Sequence, residues 1–323
     1  MTGEPSTAQQ YREFARSARG SSPTYERLAN RIADDQVVLA LLDELPEPKR
    51  QPNLLLGAVR LLAGALPDYG DFRGWLLDQR DAVVDVMLAR RTQTNEVGRC
   101  ATLLPALAQL PGPLALLEVG TSAGLCLLLD RYGYDYAGHR VGREDAQLAL
   151  SCHPRGPVPL PDSLPEVVWR AGIDLHPVDV SDAEEVRWLE ALVWPDQPER
   201  LDRLRTAVRI ARRDPPRILE GDLLDELLPL AAEAPADATL VVFHSAVLSY
   251  LTAEERGRFA EQVRSLGAVW LSNEGNRVLP ALPAPADRAD ERSFVLSRDG
   301  RRVLALTAPH GAWLEWVEAP APG

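Results

Sequence analysis

Leu114-Ala115-Leu116-Leu117-Glu118-Val119-Gly120-Thr121-Ser122-Ala123-Gly124 is the stretch on which the fold turns. A short, almost wholly apolar run closed by glycine reads as a strand buried on both faces, the kind found in parallel sheets. The residues after it, Leu125 to Tyr132, read as helical. Strand, tight turn and helix form the opening unit of a doubly wound α/β sheet.

The same alternation continues downstream. Residues 167–174, 217–222, 239–244 and 268–273 read as strands, with helical regions before residue 213 and over 253–266. Residues 294–297, 302–307 and 312–317 alternate apolar and polar side chains, and Arg298-Asp299-Gly300 makes a hairpin turn. The expected fold is a doubly wound, mostly parallel Rossmann-like sheet ending in an antiparallel hairpin. Residues 133–165, rich in Gly and Pro, read as an inserted loop. Upstream, residues 1–110 show helical spacing in five segments, residues 72–90 reading as one of them, and no strand pattern. The expected organisation is an N-terminal helical bundle over 1–110, acting as a lid or substrate domain, and an α/β domain over 111–323. The break falls at Pro111-Gly112-Pro113.

Composition narrows the function. The 323 residues carry a formal net charge of −12, which argues against a general nucleic-acid binder. An Arg-rich stretch over 200–217 reads as a solvated helix face rather than a nucleic-acid patch. Cys100, Cys126 and Cys152 form no CxxC pair, so neither a zinc knuckle, a redox dithiol nor a disulfide framework is expected. No apolar core marks residues 1–22, so neither a signal peptide nor a membrane span is expected. The expectation is a cytoplasmic protein with a small-molecule substrate and neither membrane nor nucleic acid as partner.

Several chemistries compete for the Gly120–Gly124 turn. Small residues before a helix N-terminus can cradle a nucleotide-type cofactor, with Gly120, Thr121, Ser122 and Gly124 as its backbone and Glu118 near a cationic ligand group. The dinucleotide fingerprint needs glycines where Ser122 and Leu125 stand. Gly120-x-Ser122-x-Gly124 also matches a serine-hydrolase nucleophile elbow, with His244 or His310 and Asp222 as available triad partners. A ligand-free tight turn is the fourth reading. Two further acids, Asp174 and Asp222, close the next two strand patterns, where open α/β sheets bind ligands. They suit ribose hydroxyls and an adenine amino group; helix or turn capping is the alternative for each.

Other polar residues cluster at strand ends. His244 ends the fourth strand pattern and is a candidate general base; Tyr250 and Glu274 follow the fourth and fifth. Gln93, Asn95, Glu96 and Arg99 open the last helix before the sheet and are candidate substrate-binding groups, with Thr94 or Asn95 as a helix cap the simpler account.

With Glu118-x-Gly120-x-x-x-Gly124, Gly172-Ile173-Asp174 and Gly221-Asp222 in order, residues 112–317 resemble a class I S-adenosylmethionine-dependent methyltransferase core. That resemblance implies S-adenosylmethionine as cofactor. Phe243-His244-Ser245-Ala246 stands where amino-acceptor enzymes of that class carry an Asn/Asp-Pro-Pro-Tyr segment, which argues against N-methylation of an exocyclic amine. A non-catalytic S-adenosylmethionine or nucleotide sensor is the reading from another class. Arg91 to Val97, Glu118 to Leu129, Trp194-Pro195-Asp196 and Val242 to Leu248 further resemble a bacterial family catalogued as a domain of unknown function.

Overall fold

The computed structural model describes residues 5–66, 68–93, 95–279 and 293–317. In chain order the helices are α1 (Thr7–Ala18), α2 (Pro23–Asp34), α3 (Gln36–Asp43), α4 (Pro52–Ala63), α5 (Tyr69–Asp78), α6 (Arg80–Ala89), α7 (Cys100–Leu107), α8 (Ala183–Leu192), α9 (Pro198–Ala211), α10 (Leu223–Ala231) and α11 (Ala253–Ser265). The strands are β1 (Leu114–Val119), β2 (Gly133–Tyr136), β3 (His139–Val141), β4 (Ala149–Ser151), β5 (His153–Arg155), β6 (Val167–Asp174), β7 (Arg217–Glu220), β8 (Thr239–Ser245), β9 (Val269–Gly275), β10 (Phe294–Arg298), β11 (Arg302–Thr307) and β12 (Trp313–Trp316). The chain divides into two compact units, residues 1–94 with 181–205, and residues 95–180 with 206–323. The helical unit thus gains α8 from the middle of the chain, while α7 lies in the sheet unit.

In the helical unit the ends are set by local chemistry. The Ser6 and Ser22 hydroxyls and the Asp35 carboxylate cap α1, α2 and α3 by accepting backbone amides of the first turn. The apolar stripes meet in one core that includes Tyr11, Tyr25, Ile32, Leu42, Phe72 and Trp188. Gly57 lets α8 approach α4: a Cβ there would stand 3.0 Å from Leu192 and 3.1 Å from Trp188. Trp194-Pro195-Asp196, a string singled out by the family resemblance, has a structural role here. Asp196 accepts the Ser22 hydroxyl and both the amide and hydroxyl of Thr24, and Trp194 Nε1 donates to Asn53 at 3.0 Å.

The sheet unit is built on a nine-stranded sheet in the order β5-β12-β11-β10-β9-β8-β1-β6-β7. From β7 to β9 every pairing is parallel, with β1 at the centre between β6 and β8. Beyond β9 the chain turns back on itself, and β10, β11 and β12 add as an antiparallel meander. Central β1 is buried at every residue, which explains its unbroken apolar run. Leu117, Val119, Ile173 and Val242 face Leu227 of α10 and Phe259 of α11 in one apolar cluster.

Three expectations change. The 133–165 segment is not a bare loop: β2, β3 and β4 form a small separate sheet, and β5 joins the edge of the main sheet beside β12. Residues 72–90 are two helices, not one, interrupted at Gln79. The segment after the glycine turn, Leu125–Arg131, is a 3₁₀ helix broken at Leu128 instead of a regular α-helix. Among the described residues, no helix is long and apolar enough to cross a membrane.

Candidate functional site

In a doubly wound sheet the ligand-binding crevice lies outside the carboxyl ends of the strands, where the strand order reverses. Here the reversal falls at β1, whose neighbours β6 and β8 run on in opposite directions along the sheet. Glu118 sits in register with Gly172 of β6 and Phe243 of β8. Glu118, Asp174 and Asp222 therefore lie at the carboxyl ends of three adjacent parallel strands, β1, β6 and β7, along one rim.

Each acid has a defined environment. Glu118 is buried, and its carboxylate accepts the Thr121 hydroxyl at 2.6 Å. Burial pushes its carboxyl well above the usual range, reinforced by Cys126 and Asp174 and opposed by the Thr121 hydrogen bond and Arg99. Asp174 accepts the amides of Ser122 (2.7 Å) and His176 (2.9 Å). Asp222 is the exposed N-cap of α10, accepting the Leu224 amide at 2.8 Å. Capping, the alternative weighed for Asp222, is thus what its side chain does.

The turn itself is closed by the chain's own groups. Ser122 adopts φ 51°, a left-handed conformation costly for a residue with a Cβ. Asn95 holds it: its Nδ2 donates to Ser122 Oγ at 2.9 Å and its Oδ1 accepts the Ala123 amide at 3.0 Å. The amides of Gly120 and Thr121 go to the Ile173 carbonyl, and that of Gly124 to Thr121. Gly120 (φ 67°) faces Val247, whose Cγ2 would stand 2.4 Å from an added Cβ. At Gly124 the corresponding neighbour is Pro216, at 2.6 Å. Gly120→Ala should therefore cost about 1–3 kcal/mol, through both overpacking and left-handed strain. Adding Val247→Ala should recover only the packing part, a partial rescue readable by urea unfolding of the three variants.

His244 differs most from its expected role. Its ring is fully buried and packs on Phe259 and Trp270. Trp270 Nε1 has only a proton to give, and it donates to His244 Nε2 at 2.9 Å. That fixes the proton on Nδ1, which donates to Glu274 Oε1 at 2.7 Å. Both nitrogens are thus already engaged, and neither is left open toward an acceptor's proton. Glu274, also buried, further accepts the amides of Val247 and Leu248 at 2.8 and 3.1 Å. It anchors the loop after β8 instead of lining an open crevice. Tyr250 is 78% exposed, so it too lines no enclosed space.

Of the expected substrate-binding group, Asn95 meets the turn, as above. Glu96 is buried and accepts the Gly98 amide at 3.0 Å. Arg99 is buried and donates to the carbonyls of Pro309 (2.9 Å) and Ser245 (3.0 Å), tying the end of β8 to the segment after β11. Gln93 belongs to the helical unit, and Thr94 lies outside the described residues. Spacing alone sets aside any pairing of the cysteines, yet Cys100 and Cys126 adjoin, with Cys100 Sγ 3.8 Å from the Cys126 carbonyl.

A large, mostly parallel α/β sheet closed by an antiparallel meander, with acids at its strand ends, is the class this unit defines. The chain belongs to the family described as "Uncharacterized protein conserved in bacteria (DUF2332)", whose sequence model matches residues 8–316. No match is found among curated proteins or among solved structures.

Proposed function

We propose that the chain binds S-adenosylmethionine at the carboxyl edge of β1, β6 and β7 and transfers its methyl group to a small molecule. The observation that carries this reading is the alignment of Glu118, Asp174 and Asp222 on three adjacent parallel strand ends. Acceptor oxygens in that order suit an ammonium group, ribose hydroxyls and an adenine amino group. These acceptors match the cofactor's donor groups. The turn amides do not contribute, because Asn95, Asp174 and backbone carbonyls already hold them. Val247 covers Gly120, so the adenosyl end belongs on the Asp174–Asp222 side.

When bound, the cofactor supplies an activated methyl group on a sulfonium. The chain's part is then positioning, since methyl transfer can proceed by holding two reactants in line. Glu118 faces the cationic end. Its raised affinity for protons means that a nearby ligand cation draws it into the ionised form and releases a proton. Asp174 orients the ribose while holding the Ser122 amide. With His244 committed to Trp270 and Glu274, an acceptor must ionise without help from that imidazole.

One observation favours a sensor as the second reading. Asn95, first residue of the sheet unit, spans Ser122 and Ala123. A ligand that competed for those groups would release Asn95 at the point where the chain leaves the helical unit.

Calorimetric titration of the whole chain with S-adenosylmethionine, S-adenosylhomocysteine and methionine tests binding. Saturable heat is expected for the two adenosyl ligands and none for methionine. No heat from either adenosyl ligand at millimolar concentration would remove both readings.

A further inference from the structure

Cys100 opens α7, and Cys126 lies in the 3₁₀ segment just after the glycine turn. The two cysteines adjoin, each thiol donating to a backbone carbonyl of the other's neighbourhood. Cys100 Sγ lies 3.8 Å from the Cys126 carbonyl, and Cys126 Sγ lies 3.8 Å from the Glu96 carbonyl. Cys100 is fully buried, whereas Cys126 is partly exposed. Their chemistry is asymmetric in the same sense. The neighbouring Cys100 thiol, aided by the Arg99 guanidinium, lowers the Cys126 thiol against the opposing effect of burial. Burial pushes Cys100 well above its ordinary range. Cys152, buried elsewhere, is pushed up to about 12 by burial alone. A thiol inclined to ionise, partly accessible, with a second cysteine adjoining, is the arrangement of a redox-responsive pair.

We infer that Cys126 and Cys100 are a modification site, a dithiol that hydroperoxides convert to a disulfide. The Cys126 sulfur attacks the hydroperoxide, the O–O bond breaks, and an alcohol or water leaves as Cys126 becomes a sulfenic acid. The Cys100 sulfur then attacks the Cys126 sulfur. An S–S bond forms, the S–O bond breaks, and the hydroxyl leaves as water with the Cys100 proton. Two thiols lose two electrons, and the hydroperoxide gains them. The bond joins α7 to the segment following the Gly120–Gly124 turn, so oxidation stiffens the support of Glu118 independently of any ligand.

The test uses the folded chain treated with hydrogen peroxide or cumene hydroperoxide, then alkylated under denaturing conditions and mapped by mass spectrometry. The expected product has lost about 2 Da, carries a Cys100–Cys126 cross-linked peptide, keeps Cys152 alkylatable and reverts with dithiothreitol. Cys126 should react at least about tenfold faster than Cys152, and Cys100→Ser should leave a dimedone-reactive sulfenic acid on Cys126. Equal reactivity of all three cysteines, or oxidation of Cys126 to sulfinic acid with no cross-link, would overturn the inference. So would loss of the two thiols no faster in the folded chain than in urea.

Discussion

Glu274→Ala is expected to destabilise the sheet unit by about 3–5 kcal/mol, because it strips the partner from several buried donors at once. His244 Nδ1, the Val247 amide and the Leu248 amide all converge on Glu274 Oε1. With the carboxylate gone, the Nδ1–H loses its acceptor, and the loop after β8 loses the anchor that keeps Val247 on Gly120. Glu274→Gln keeps one acceptor oxygen and should cost clearly less. His244→Ala should also lower stability, by exposing a cavity beside Phe259 and Trp270 and leaving Trp270 Nε1 unpaired. Chemical denaturation of the three variants gives the ranking. If His244→Ala left stability intact and removed only turnover, the imidazole would be a catalytic base after all.

Glu118→Gln is expected to change pH dependence as well as affinity. The folded carboxyl is raised, chiefly by burial, so the folded chain keeps a proton that the unfolded chain gives up at ordinary carboxylate pH. In that window the folded state binds more protons, and stability therefore falls as pH rises from the ordinary carboxylate value toward the raised one. One proton corresponds to about 1.4 kcal/mol per pH unit. The glutamine variant cannot ionise, so it should lack this slope and become progressively more stable than the parent as pH rises. Urea unfolding from about pH 5 to 8 measures the difference. The same substitution should weaken S-adenosylmethionine binding at least about tenfold, or about 1.4 kcal/mol, and abolish the proton release that accompanies it. An unchanged affinity would separate Glu118 from the ligand.

Much of this arrangement was legible before any coordinates. The eight strand patterns from Leu114 onward all appear as strands, because buried parallel strands write themselves as unbroken apolar runs and the closing meander as alternation. Short strands escaped notice: β2 to β5 have three or four residues each, too few for a period to show amid Gly and Pro. The break at Gln79 was hidden for a different reason, since apolar spacing continues through it on both sides.

The site was legible as positions but not as partnerships. Sequence placed Glu118, Asp174 and Asp222 at strand ends, yet could not reveal that Asp174 turns back onto Ser122. The commitment of His244 did leave a signal. His244 pairs in register with Ser272, and period-two alternation puts Trp270 and Glu274 on the same face as Ser272, one on each side. Strand pairing β8 with β9 would have exposed it. Nothing in the sequence spacing joins Cys100 to Cys126, because their contact depends on how α7 meets the segment after the turn.

A crystal structure of the chain grown with S-adenosylhomocysteine tests the central claim most directly. The account predicts ribose hydroxyls on the Asp174 carboxylate, the adenine toward Asp222 and the amino group within reach of Glu118. Ligand bound away from these three strand ends, with Val247 still on Gly120 and Asn95 still on Ser122, would contradict it.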